Sequence, residues 1–321
     1  MTSLSTTTAP SPAAFGGDGG FDPARAEGAG IRDTWRSFGT AARLGWLMES
    51  NWTDPIVFAI YSVAKPLASV FILVFMVNVI GGASTTTYRA YVVVGSALWA
   101  FVVSGIAGLA WSVLDDRERF RMLRYLYVSP SDFGVVILGR GVARIFVGLI
   151  GATVALAAGM LFLGIGFDVT RVDWPVLVVS MAIGLAAVIA VGVIMAAICM
   201  QTRQDSWSYP EAVAGALFLV SGAVFPLAAL PDVAQAVGLA SPLSWWIEGV
   251  RRSLLPDAPT GIGGAGSLFE RLTGNAAPDS MTIVFALLAT GALVTLAAML
   301  AFRVSDRRAK DRGLIDRTTG S

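Results

Sequence analysis

The sequence has no histidine and a single cysteine, Cys199. One thiol cannot form an intrachain disulfide. Without histidine a Ser-His-Asp triad is excluded, and a zinc site is nearly so. Charge is scarce too. Asp, Glu, Lys and Arg make up 14% of the 321 residues, where a soluble domain carries about 25%. Lysine is almost missing, represented by Lys65 and Lys310 alone. A net charge of +1 provides no field for nucleic acid. No G-x-x-x-x-G-K-[ST] phosphate loop is present. No catalytic residue, metal site or cofactor site is therefore expected in this chain.

What the chain has instead is apolar length. Hydrophobic residues make up 55%, and mean hydropathy is +0.70. A run of about 20 apolar residues spans a bilayer core as a helix. Six such runs are expected, at 56–80, 90–113, 133–164, 174–200, 209–226 and 281–303, with Pro66 kinking the first. The expected fold is an all-α integral membrane bundle. Residues 1–30 are rich in Ser, Thr, Pro, Ala and Gly and read as a disordered cytoplasmic tail, not a signal peptide. Residues 31–52 repeat Ile31, Trp35, Phe38, Ala42 and Trp46 at helical spacing, with Arg32, Arg36 and Arg43 alongside. That pattern suits an amphipathic helix in the membrane interface, touching lipid. The transmembrane domain is expected over 53–303, followed by a basic cytoplasmic tail over 304–321.

Arginine placement sets the orientation. With both termini in the cytoplasm, fifteen Arg and Lys residues fall inside, among them Arg25, Arg117, Arg203, Arg307 and Arg317. Five fall outside: Arg89, Arg171, Arg251, Arg252 and Arg271. This follows the positive-inside rule and predicts a multi-pass protein of the inner (plasma) membrane. Small residues recur along two spans, at Gly151, Ala155 and Gly159 and at Ser180, Gly184, Gly192 and Ala196. They predict close helix packing and no ligand.

Two segments stand apart. The connector over 114–131 crowds Asp115, Asp116, Arg117, Glu118, Arg119, Arg121 and Arg124 among Leu123, Tyr125, Leu126 and Tyr127, and ends on Ser129 and Pro130. It is too polar for lipid and too aromatic for a merely solvated loop. A short helix that docks on a cytoplasmic protein fits it. The second segment, 227–255, follows Phe225-Pro226, meets Pro231 and Pro242, and carries Ser244, Trp245, Trp246, Glu248, Arg251 and Arg252. It is too interrupted for an out-and-back hairpin, so a re-entrant element at the outer face is expected. The two tryptophans would sit in the interfacial aromatic belt. Glu248 and Arg252, four apart, would form an ion pair.

The prolines with Glu248 and Arg251, and the run Arg117-Glu118-Arg119, Leu123, Tyr125, Ser129-Pro130, resemble the ABC-2 type exporter permease family, of the drug-resistance or polysaccharide-exporting kind. The sequence departs from that pattern at Phe120-Arg121, where many members have Gly-Thr. The resemblance implies that Asp116, Arg117, Glu118, Arg119, Leu123, Tyr125, Ser129 and Pro130 couple to an ATPase. It implies that Phe225, Pro226, Pro231, Pro242, Ser244, Glu248 and Arg251 belong to an outer lid. The second and fifth spans would line the path, with Trp99, Phe101 and Phe218 as candidates; Trp111 and Phe225 are further aromatics there. Two permeases, a second copy or a relative, would pair with two ATPase subunits, which bind ATP and magnesium. The cargo would be a hydrophobic small molecule or a lipid-linked envelope component.

A proton-coupled secondary transporter is the alternative. Such proteins often show inverted repeats, and none is visible here. Among polar groups in the spans, Lys65 is expected to snorkel toward the inner interface. Arg140 and Arg144 are expected to touch headgroups or the connector, and Glu211 to stabilise the start of its helix.

Overall fold

A computed structural model describes residues 30–51, 54–81, 86–129, 131–163, 166, 168–202 and 207–311. Residues 1–29 of the tail expected over 1–30, and Pro130, Arg203 and Arg317, lie outside them. Every regular element described is helical. Helix α1 spans Ile31–Ser50, α2 Pro55–Gly81 and α3 Thr86–Leu114. A π turn, Asp115–Arg119, continues α3, and the short α4 follows at Leu123–Val128. Then come α5 (Phe133–Leu163), α6 (Trp174–Gln201) and α7 (Tyr209–Val220). Beyond a 3₁₀ turn lie α8 (Asp232–Ala240), α9 (Pro242–Leu254), α10 (Leu268–Thr273) and α11 (Ser280–Asp311).

Five of these helices, α2, α3, α5, α6 and α11, are long and apolar enough to cross a membrane. The chain is thus an all-α, multi-pass membrane protein. The remaining expected crossing is the apolar but short α7. Its 12 residues rise only about 18 Å, and the chain leaves helical form at Ser221, ahead of Pro226. At its other end α11 runs past 303 to Asp311. Lys310 there pairs with Asp306 at 2.8 Å, one turn away, which supports the added turns.

Helix α3 is the central post, and α2, α5, α6, α7 and α9 all pack on it. Helix α11 packs on α6 and α9, and α1 lies on α5. Small residues set these contacts. A Cβ on Gly184 would stand 1.9 Å from Trp246 Cδ1, so only glycine lets α9 seat its indole on α6. A Cβ on Gly95 would stand 1.8 Å from the Ala223 carbonyl oxygen. The α1 crossing uses Ala41 and Gly45 against Gly139 and Arg140, while Ile31 and Trp35 of the expected apolar stripe stay exposed. Local signals place the helix starts. Asp173 caps α6 by accepting from the Val176 N–H, and Ser241 caps α9 by accepting from Leu243, with Pro242 at the first position.

Candidate functional site

The connector is built on the π turn at the foot of α3. Phe120 N–H reaches back to the Asp115 carbonyl and Met122 N–H to that of Asp116. Such widened turns occur often at functional sites. Here the widening turns successive charges toward different neighbours. Asp115 accepts from Arg144 of α5 at 2.9 Å, and Arg144 also pairs with Glu49 of α1 at 3.2 Å. Asp116 is fully buried against Arg140 of α5 as an ion pair. Arg140 in turn donates to the Met48 sulfur of α1. Arg117 pairs with Glu118 and donates to the Cys199 and Thr202 carbonyls at the end of α6, both at 3.0 Å. Three buried or half-buried charges thus tie one turn to α1, α5 and α6.

Beyond the π turn the connector divides by face. Leu123 is buried beside Leu109, Val113, Phe133, Ala196 and Met200. Arg119, Phe120, Arg121 and Tyr125 are exposed. Arg121 holds a left-handed backbone, φ 49°. Ser129 turns its hydroxyl back to the Leu126 carbonyl. Tyr127 stacks on Phe133 at 4.3 Å and donates to Asp306 of α11 at 2.8 Å. Burial first, then the Asp306 carboxylate, pushes the Tyr127 hydroxyl far above its ordinary range.

At the opposite end lie the two short helices α8 and α9. Arg251 is 1% exposed. Its guanidinium lies 3.5 Å from the Tyr91 ring centroid, and it donates to the Gly222 and Ala223 carbonyls. Glu248 accepts from Arg251 at 3.4 Å, from the Thr260 hydroxyl at 2.6 Å and from Gly261 N–H at 2.8 Å. Tyr91 and Tyr88, stacked on each other, donate to the Gly222 and Val224 carbonyls. Buried charge at both ends is thus paired with opposite charge, as burial requires.

Between the two ends lies a cavity of about 650 Å³, walled by α2, α3, α5 and α7. Trp99, Trp111 and Phe218 line it, with Lys65 and Glu211. Trp99 and Phe218 meet at 5.0 Å.

A comparison with protein families matches residues 44–255 to the ABC-2 type transporter model. The chain belongs to the ABC-2 type transporter family. No curated protein matches the chain. As an ABC-2 membrane domain it is a permease component of membrane transport, of a family that works with ATPase subunits.

The ABC-2 permease gathers most of the residues singled out above, and corrects several. Phe225 stays exposed at the far end, next to a half-buried Pro226 and an exposed Pro231, while Pro242 and Ser244 are buried. Phe101 does not line the cavity. It is buried against Trp246 of α9 at 5.7 Å. Trp245 and Trp246 do not form an interfacial belt, because both rings are buried, Trp246 against Phe101 of α3 and Gly184 of α6 and Trp245 against Phe269 of α10. Glu248 pairs with Arg251 and not Arg252, since the Tyr91 ring and the 222–223 carbonyls hold Arg251 beside it. Arg140 and Arg144 take the connector carboxylates, one of the two contacts expected of them. Sequence reasoning missed Glu49, Tyr91 and Thr260. The partners of Glu49 and Tyr91 lie 95 to 160 residues away and that of Thr260 across a loop, and periodicity carries no such information.

Proposed function

We propose that this chain is the permease subunit of an ATP-driven exporter, with its basic end and both termini in the cytoplasm of the inner (plasma) membrane. Two copies, or this chain and a relative, stand over two ATPase subunits, which hold ATP and magnesium. The exposed connector residues Arg119, Phe120 and Tyr125 enter a groove on the ATPase. ATP binding draws the ATPases together, and the push reaches α1, α5 and α6 through Asp115, Asp116 and Arg117. The cargo, a hydrophobic small molecule or a lipid-linked envelope component, moves along the cavity and leaves past α8–α9.

One observation carries this reading: the connector's charged turn is ion-paired to α5, hydrogen-bonded to the end of α6 and linked through Arg144 to Glu49 of α1, while its aromatic face is left outward. A solvated loop has no reason to bury Asp116 and Arg117. A turn that must carry force into a bundle does. The test is co-reconstitution with a cassette ATPase. Tyr125→Ala and Arg119→Ala should cut permease-dependent ATPase stimulation at least about tenfold, the scale of losing one interfacial anchor. Insertion should be unaffected. Full stimulation in both variants would refute the assignment.

A further inference from the structure

We infer that the cavity binds an amphiphile whose head carries both an acidic and a basic group, held between Lys65 and Glu211. The helices give the depths. Gly108 meets Arg144 and Ser104 meets Gly148, which fixes the antiparallel register of α3 and α5. In that register Gly151, which meets the Pro66 ring, stands about 20 Å above Leu114 at 1.5 Å per residue. Lys65 turns its ammonium back toward Tyr61, 5.8 Å from the ring centroid. One turn of descent brings it to about 14 Å. On the other wall Phe218 meets Trp99. Glu211, two turns earlier, lies about 12 Å above Leu114. A cation on α2 and an anion on α7 therefore open into one cavity at one depth.

Among the described residues neither of these charges has an ion-pair partner. The contrast lies at the cavity mouth, where Glu49 and Arg144 also line the wall but pair with each other. Both side chains are exposed, and the wall between them is largely apolar and aromatic. An apolar ligand would leave both charges unmatched, an acid would serve only Lys65, and an amine only Glu211. A head bearing both signs matches both, and its chain lies along Trp99, Trp111 and Phe218. A cavity of about 650 Å³ is within the range of small-molecule sites. That such a ligand is cargo rests on the export reading; that it binds does not.

The test is native mass spectrometry of the full-length chain in neutral detergent, with one probe added at a time. The probes are phosphatidylethanolamine, an N-dodecyl betaine, phosphatidic acid and a long-chain amine. The zwitterions should be retained about tenfold over the acid and the amine, the scale of one charge-assisted contact. Lys65→Gln should shift retention to the amine, and Glu211→Gln to the acid. The double exchange Lys65→Glu with Glu211→Lys should restore the zwitterion and so separates recognition from misfolding. Retention of phosphatidylethanolamine alone identifies a bilayer lipid as the source; retention of both zwitterions, or of the betaine alone, shows that the head group suffices. Equal retention of all four probes, or unchanged selectivity in both single variants, overturns the site. Either failure leaves ATPase stimulation by the chain intact, so the two readings fall separately.

Discussion

Arg121 holds φ 49° with its side chain in the open. A left-handed backbone costs a non-glycine residue about 1–2 kcal/mol. Arg121→Gly should therefore raise stability by about 1 kcal/mol, read as a higher unfolding midpoint of the purified permease. Gly184 is the opposite case. Gly184→Ala must displace the buried Trp246 ring and should cost about 1–3 kcal/mol, with a change in near-ultraviolet tryptophan dichroism as its mark. The sequence pattern did show that residue 184 belongs to a packing stripe, because small residues at every fourth position leave one face bare. It did not show which side chain fills the space. The same holds for Glu248. Residues 251 and 252 both lie within reach of it on a helix, and only the Tyr91 ring, 157 positions upstream, decides between them.

At the scale of elements, the ion pairs under α3 are the feature with the largest expected effect. Asp116 and Arg140 are buried together. Removing one partner strands the other, so Asp116→Ala should destabilise the permease by about 3–5 kcal/mol. Replacing both with leucine should cost much less, and the double-mutant cycle measures the difference. The link between α4 and α11 responds to pH. The Tyr127 hydroxyl is raised in the folded state, so the fold favours its neutral form. Its contribution is complete below the unfolded value of about 10 and is lost as pH rises toward the higher folded value. Thermal unfolding followed from pH 8 to 11 should show an alkaline loss that Tyr127→Phe removes. Long spans were legible in the sequence because hydropathy over 20 residues is a strong signal. The end of α7 at Val220 was not: the segment from Ser221 to Pro226 is as apolar as the helix before it, and its course is set by Tyr88, Tyr91 and Arg251, which bond its carbonyls.

For the whole molecule, the orientation is directly measurable. The lone thiol is buried, so Cys199→Ala gives a clean background for labelling. On that background Arg121→Cys should react with a membrane-impermeant maleimide only from the cytosolic side. Leu272→Cys, on the exposed tip of α10, should react only from outside. Labelling of both from one side would overturn the topology and, with it, the roles proposed for the two ends.

The π turn has a consequence for this geometry. A turn closed from residue i to i+5 holds one residue more than its α-helical counterpart. If that surplus is drawn into the helix, everything beyond it rotates about 100° around the axis and advances about 1.5 Å. The central post of the bundle therefore ends in a screw thread: a small reeling-in at its base swings Phe120 and the outward aromatic face through a quarter of a circle without unwinding α3.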